Sequence, residues 1–178
     1  MQKRHTDRES YFGEQSQTSK NYYIPYIKEV IGHIPDKVLE VGCGEGGNLL
    51  PFAEAGCRVM GVDIDATRIE QARTFFAQRH QQGQFIATDI FQLKDKATNF
   101  PLILLHDVIE HIRDKERFFS GLQEHLSADG AVFVGFPAWQ MPFGGHQQIA
   151  HSHIVSHFPF LHLLPRTCLL YTSDAADD

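Results

Sequence analysis

The chain has 178 residues, 42% of them apolar and 21% charged, which is enough for one compact hydrophobic core. Its 16 basic and 22 acidic residues give a net charge of −6 without a dense basic run, which argues against a nucleic-acid partner. No apolar stretch approaches the ~20 residues of a membrane helix, which predicts no membrane insertion. The odd cysteine count, with no CxxC pair, favours free thiols in a cytoplasmic protein (Cys43, Cys57, Cys168).

The predicted elements alternate along the chain. The first 18 residues are polar and receive no predicted structure, and a helix is predicted over residues 21–31, with Pro25 in its first turns. Asp65 and Asp114 are placed to cap two later helices. Five apolar runs separate the helical stretches and are predicted to be strands: Val38–Val41, Arg58–Val62, Gln84–Ala87, Leu102–Leu105 and Ala131–Phe136. This alternation predicts an α/β fold, a Rossmann-like doubly wound parallel sheet.

A glycine-rich turn follows the first predicted strand, in the sequence VLEVGCGEGGN at residues 38–48. Glycine lets the polar groups of a ligand approach the backbone closely. Gly42, Gly44 and Gly47 satisfy GxGxxG, and Asp63 ends the next strand about twenty residues later, where a carboxylate would hold a ribose diol. These features alone also fit an oxidoreductase that uses a nicotinamide cofactor.

Glu40 separates the two interpretations. Together with Gly42, Gly44 and Gly46 it forms a second register, ExGxGxG. A carboxylate two residues before the first glycine disfavours a pyrophosphate, and it favours a ligand with an ammonium and a sulfonium group. That charge pattern describes S-adenosylmethionine.

Four segments, taken in order, resemble the motifs of class I S-adenosylmethionine-dependent methyltransferases. They are Val38–Gly56, Gly61–Asp65, Gln84–Ile90 and Leu102–Ile112. The last, with an acidic residue, two apolar residues and Glu-His, is similar to the fourth-strand motif of the small-molecule and quinone-type branch. The resemblance covers roughly residues 36 to 136 and implies the strand order 3-2-1-4-5.

The resemblance also implies the cofactor-binding residues: Glu40, Gly42, Cys43, Gly44, Gly46, Asp63, Ile64, Asp89, Ile90 and His106. Asp89 would approach the adenine amino group with Ile90 beside the ring, although Asp89 equally fits a helix cap. His106 would face the methionine moiety or the substrate. No catalytic residue is assigned, because a sulfonium is already an activated leaving group and methyl transfer mainly requires positioning.

Three further residues are substrate candidates: His111, Trp139 and His146. His111 follows the fourth strand, where it also fits an ordinary histidine at a helix start. Trp139 and His146 lie in a loop at 137–149, which is read as a substrate wall or lid, or as a surface loop that covers a core edge. If the acceptor is a hydroxyl, His106, His111 or His146 is placed to remove its proton.

No metal site is predicted, although histidines crowd the segment after the fifth strand. The sequence has no HExxH motif, and residues 137–171 contain no carboxylate. The family fold closes with two more strands, and no hairpin pattern follows Phe136, so the sequence predicts that these two strands are missing.

The methyltransferase domain is predicted at 19–165, after a polar segment at 1–18, and residues 166–178 resemble a translated adapter or read-through tail. The predicted function is S-adenosylmethionine-dependent methyl transfer to an unidentified small-molecule acceptor. A nicotinamide-dependent oxidoreductase and a non-catalytic nucleoside-binding fragment remain as alternatives.

Overall fold

The computed structural model describes residues 7–93, 98–136, 159–160 and 163. The chain divides into two compact units, one that contains residues 3–136 and one that contains residues 137–178. In the second unit, Pro159 and Phe160 form a turn, and the Leu163 N–H donates to the Phe160 carbonyl at 3.1 Å. The proposed domain boundaries after residues 18 and 165 remain predictions, and the tail from residue 166 lies outside the described residues.

A parallel sheet of five strands forms the centre of the first unit. Its strands are β1 (Lys37–Val41), β2 (Arg58–Asp63), β3 (Gln84–Ala87), β4 (Phe100–His106) and β5 (Leu126–Gly135). They lie in the order β3-β2-β1-β4-β5, which confirms the predicted order and the Rossmann-like fold. From β1 the chain adds β2 and β3 on one side of the sheet and then β4 and β5 on the other, so the strand order reverses between β1 and β4. Ligands of such sheets bind in the crevice at the carboxyl ends of these two strands.

Helices cover the sheet. They are α1 (Arg8–Thr18), α2 (Ile24–Ile31), α3 (Leu50–Glu54), α4 (Ala66–Gln78) and α5 (Lys115–Gln123). Asp65 accepts hydrogen bonds from the N–H groups of Thr67 and Arg68, and Asp114 accepts one from Arg117, so both predicted caps are confirmed. Pro25 lies in the first turn of α2, also as predicted.

The core has two layers because strand residues alternate between the faces of the sheet. Val38, Leu102 and Leu104 pack under α1, α3 and α4, whereas Leu39 and Ile103 pack on the opposite face with α5. Within the described residues, no helix combines the length and the hydropathy needed to cross a membrane.

The N-terminal segment differs from the prediction. Residues 8–18 form α1, and a π-helical turn at Ser19–Tyr23 joins it to α2. Phe12 is the one buried residue of α1, and its ring centroid lies 4.9 Å from that of Phe75 and 6.5 Å from that of Phe76. A helix with a single buried position shows no apolar periodicity, which is why the sequence pattern did not reveal it.

Phe12→Ala should therefore lower the free energy of unfolding by about 3 kcal/mol, the usual loss for a fully buried phenylalanine. Chemical denaturation monitored by circular dichroism measures this change. Tyr22→Ala is the matched control, since Tyr22 is 69% exposed and its loss should cost less than about 0.5 kcal/mol. Equal losses in the two variants would show that α1 is not anchored through Phe12.

Candidate cofactor site

The glycine loop after β1 has a backbone shape that requires glycine. Gly42, Gly44 and Gly46 have φ angles of +70°, +51° and +81°, in the left-handed region that favours glycine. A Cβ added at Gly42 would lie 2.4 Å from Cγ2 of Val108, and one at Gly46 would lie 2.9 Å from Cε1 of Phe85. All three glycines of the ExGxGxG register are therefore fixed by conformation, and two of them also by packing.

Four amides of the glycine loop donate hydrogen bonds to acceptors within the protein. The N–H groups of Gly42 and Cys43 both donate to the Val62 carbonyl, at 2.8 and 3.1 Å, and that of Gly46 donates to the Cys43 carbonyl at 2.8 Å. The Gly44 N–H donates to Oδ2 of Asp63 at 2.8 Å. A glycine-rich loop that binds a pyrophosphate offers such amides to the phosphate oxygens. Here four of them are already engaged, which argues against a dinucleotide.

Asp63 is part of this framework. Its Oδ1 accepts the Asp65 N–H at 2.9 Å while Oδ2 accepts that of Gly44, and the residue is only 8% exposed. A carboxylate at the end of a strand is expected near solvent, and the structure shows instead that Asp63 is buried. Each carboxylate oxygen has a second lone pair, so Asp63 can still accept hydrogen bonds from ribose hydroxyls.

Glu40 is buried in the same region. It is 1% exposed, its Oε1 accepts a hydrogen bond from Nδ2 of Asn48 at 2.8 Å, and its buried Oε2 has no hydrogen-bond partner among the described residues. Burial raises the pKa of the Glu40 carboxyl to about 8; the Asn48 hydrogen bond opposes this shift and the charge of Asp63 adds to it. A buried carboxyl group with an unused oxygen is suited to a cationic ligand.

Two polar residues that the sequence did not single out connect this loop to the helices. Glu45 is fully buried and forms ion pairs with Arg8 of α1 and, at 3.2 Å, with Nε of Arg68 in α4. The Ser19 hydroxyl, in the π-helical turn, donates to the Asn48 carbonyl at 2.8 Å. Their roles arise from contacts between elements distant in sequence, and a local pattern carries no signal for them.

His106 and Asp107 lie at the carboxyl end of β4. Asp107 has a φ of +53°, a conformation that is strained for a residue with a side chain and is often found at functional sites. Its N–H donates to the Gly135 carbonyl at 2.9 Å, and its Oδ2 lies 3.6 Å from Nδ1 of His106.

Tyr23 packs against this end of β4, and sequence reasoning missed it. Its ring centroid lies 5.6 Å from that of His106 and 4.9 Å from that of Phe133. Burial, followed by the charges of Asp107 and Glu40, raises the pKa of Tyr23 to about 12, so its hydroxyl stays protonated. The side chain thus places a neutral polar group beside the carboxyl end of β4.

The remaining predicted residues are spread around the loop. Asp89 caps a short 3-10 turn at Ile90–Gln92 by accepting the Phe91 N–H at 3.0 Å, which is the capping alternative, and its adenine contact stays a prediction. Ile90 is buried, Ile64 is 81% exposed, and Cys43 is a buried free thiol.

His111 is exposed in the 3-10 turn at Ile109–His111. Trp139 and His146 lie outside the described residues.

The described residues contain no group of three or more histidine, cysteine, aspartate or glutamate side chains arranged to hold a metal ion. The crowded histidines, from His146 to His162, lie outside that part of the chain.

An open cleft of about 570 Å³ lies apart from the glycine loop. It is lined by Tyr22, Tyr23, Tyr26 and the β5 residues Val132–Val134. The strand residues that line the cleft come from β5, not from the carboxyl ends of the central strands. Of the lining residues, Tyr23 also contacts His106 at the carboxyl end of β4. The chemistry of Glu40 and Asp63 therefore locates the candidate site better than the cleft does.

A buried carboxyl beside a glycine loop with four internally engaged amides, on a sheet with this strand order, is typical of a Rossmann-like nucleoside-binding domain. A family described as "Methyltransferase domain" matches residues 39–132, more than half of the chain. The chain belongs to this family of methyltransferases, which argues against the oxidoreductase alternative.

Relatives and solved structures agree with this assignment. The ubiquinone biosynthesis O-methyltransferase of Bartonella quintana is 32% identical over 118 residues, which are 64% of this chain and 48% of that protein. The structure of PKMT2 from Rickettsia typhi in complex with AdoHcy is 28% identical, with a TM-score of 0.57, and the match covers 65% of this chain and 25% of that one. Coclaurine N-methyltransferase bound to N-methylheliamine and SAH is 25% identical, with a TM-score of 0.55, over 62% of this chain and 33% of that one. The chain spans about half the length of the curated relatives that it matches.

Glu40→Gln should flatten the dependence of stability on pH. Because the folded pKa of Glu40 is raised from 4.5 to about 8, the folded chain keeps a proton that the unfolded chain releases. The stabilising contribution is fully present below about pH 4.5 and is lost as pH rises to about 8, at up to about 1.4 kcal/mol per pH unit. Denaturation curves from pH 5 to 8 measure the difference between variant and wild type.

Glu54→Gln makes the same chemical change at an exposed position and should leave the pH dependence as in the wild type. Parallel stability profiles for wild type and Glu40→Gln would mean that Glu40 is ionised, or well solvated, in the folded chain.

Proposed function

We propose that this chain is the cofactor-binding part of an enzyme that transfers a methyl group from S-adenosylmethionine to a small-molecule acceptor. The observation that carries the proposal is the pairing of a loop whose amides are engaged internally with a buried carboxyl that has an unused oxygen. Such a site rejects phosphates and accepts a cation. S-adenosylmethionine has an ammonium and a sulfonium group and no phosphate.

The residues of the site fit this cofactor. In the proposal, Glu40 faces the ammonium, Asp63 accepts the ribose hydroxyls, and Asp89 and Ile90 flank the adenine. Gly42, Cys43, Gly44 and Gly46 form the loop floor, with Ile64 beside the ribose and His106 beside the methionine moiety. When bound, the cofactor supplies a methyl group on an activated leaving group, so the chain has mainly to align the acceptor and exclude water.

We further infer that the acceptor atom is a hydroxyl oxygen. Curated relatives are named ubiquinone biosynthesis O-methyltransferases, and their names are consistent with a small-molecule acceptor. His106 lies at the carboxyl end of β4, 3.6 Å from Asp107, and a histidine beside a carboxylate is suited to accept the proton of a hydroxyl. The lack of a nucleic-acid partner and the cytoplasmic location remain predictions.

Asp63→Ala should weaken the binding of S-adenosylhomocysteine, the demethylated product, by ten- to a hundredfold. Hydrogen bonds that involve a charged group contribute on the order of 1.5–3 kcal/mol, and ~1.4 kcal/mol corresponds to a factor of ten. The variant should also lose about 1–3 kcal/mol of stability, because the buried Gly44 N–H loses its partner. Isothermal titration calorimetry on folded protein measures the affinity.

Asp65→Ala is the control for this experiment, because it removes a neighbouring carboxylate that caps α4 and is exposed. It should bind the product as the wild type does. Saturation of the wild type by NADH, with no heat from S-adenosylhomocysteine, would overturn the proposed function.

A further inference from the structure

Four buried side-chain oxygens have no hydrogen-bond partner among the residues that the structure describes: Gln15 Oε1, Glu40 Oε2, Glu45 Oε2 and Asn48 Oδ1. All four are acceptors when Glu40 is ionised, and all lie on α1 or on the segment that runs from β1 through the glycine loop. A buried acceptor without a donor costs about 1–3 kcal/mol. Glu40 and Asn48 belong to the candidate cofactor site, and donors of a bound ligand would remove this cost there.

Two of these oxygens belong to side chains that contact each other. Nδ2 of Asn48 donates to Oε1 of Glu40 at 2.8 Å, and both residues are 1% exposed. The Ser19 hydroxyl fixes the backbone of Asn48 from the other side. Because Asn48 Nδ2 and Glu40 Oε1 form this hydrogen bond with each other, Glu40 Oε2 and Asn48 Oδ1 are the two acceptors that remain.

We propose that Asn48 is a positioning residue of the cofactor site, which holds Glu40 so that its carboxylate receives the α-ammonium group of S-adenosylmethionine. The proposal rests on the proposed function and adds a residue to it. An ammonium group has three donors and no acceptor, and it therefore matches a site that offers acceptors alone. A nearby ammonium group favours the ionised form of Glu40 over the protonated form that burial favours. The ionised carboxylate then supplies the charge, and the Asn48 amide fixes its orientation.

The electrostatics of the site are consistent with this role. The titratable groups that interact with Glu40 through their charges are Asp63 on β2, Cys43 in the loop and Tyr23 in the π-helical turn. Asp63 opposes ionisation of Glu40, and burial raises the pKa of both Cys43 and Tyr23, so these two remain neutral. The Asn48 amide is the contact that favours the ionised carboxylate.

Two ligands separate ammonium recognition from a general loosening of the loop. S-adenosylhomocysteine has the amino-acid moiety, whereas 5′-methylthioadenosine keeps the adenosine and the thioether and lacks the ammonium. Asn48→Ala should raise the Kd of S-adenosylhomocysteine at least tenfold and change that of 5′-methylthioadenosine less than twofold. Asn21→Ala, at an exposed position in the π-helical turn, should change neither.

Glu40→Gln gives a second measurement that keeps the size of the side chain. It should also weaken S-adenosylhomocysteine selectively, and the double variant should bind no more weakly than the worse single variant, since the two residues act as a pair. Equal weakening of both ligands, or wild-type affinity for S-adenosylhomocysteine in either variant, would overturn the proposal. Failure of the wild type to bind S-adenosylhomocysteine would instead overturn the proposed function beneath it.

Discussion

The hydrogen bond from the Gly44 amide to the buried Asp63 carboxylate is the constraint on which the site depends. It ties the glycine loop to the end of β2, while the Val62 carbonyl accepts the amides of Gly42 and Cys43. The loop is thereby folded against its own protein in a left-handed backbone shape. Four of its amides are engaged, and the buried side-chain atoms without a partner among the described residues are acceptors when Glu40 is ionised. Because acceptors are left unused while these donors are engaged, the site prefers a positively charged ligand.

The N-terminal helices complete the site from outside the sheet. Phe12 anchors α1 in the core, Arg8 pairs with Glu45 in the loop, and Ser19 holds the backbone of Asn48. These three contacts fix the π-helical turn, and the turn carries Tyr23 to the carboxyl end of β4. A displacement of α1 should therefore change the positions of both the glycine loop and Tyr23 at the carboxyl end of β4. Within the described residues, fold stability and site geometry share the same contacts.

The sheet was predictable from sequence because each strand is a short apolar run between helical stretches, and the caps at Asp65 and Asp114 follow from local chemistry. β5 begins at Leu126, five residues before its predicted start, since Ser127, Asp129 and Gly130 interrupt the apolar pattern. Glu40 and Asp63 were identified through their spacing from the glycines. Asn48 was not, because its importance comes from one contact with Glu40 and one with Ser19. Tertiary contacts of this kind leave no periodic signal.

Amide hydrogen exchange of the ligand-free protein, followed by NMR, tests most directly whether the glycine loop is preformed. The amides of Gly42, Cys43, Gly44 and Gly46 should exchange slowly without ligand, because each already donates within the protein. Their protection should change little when S-adenosylhomocysteine is added. Fast exchange of these four amides in the empty protein, with protection gained only on ligand binding, would contradict a loop whose donors are engaged before the cofactor arrives.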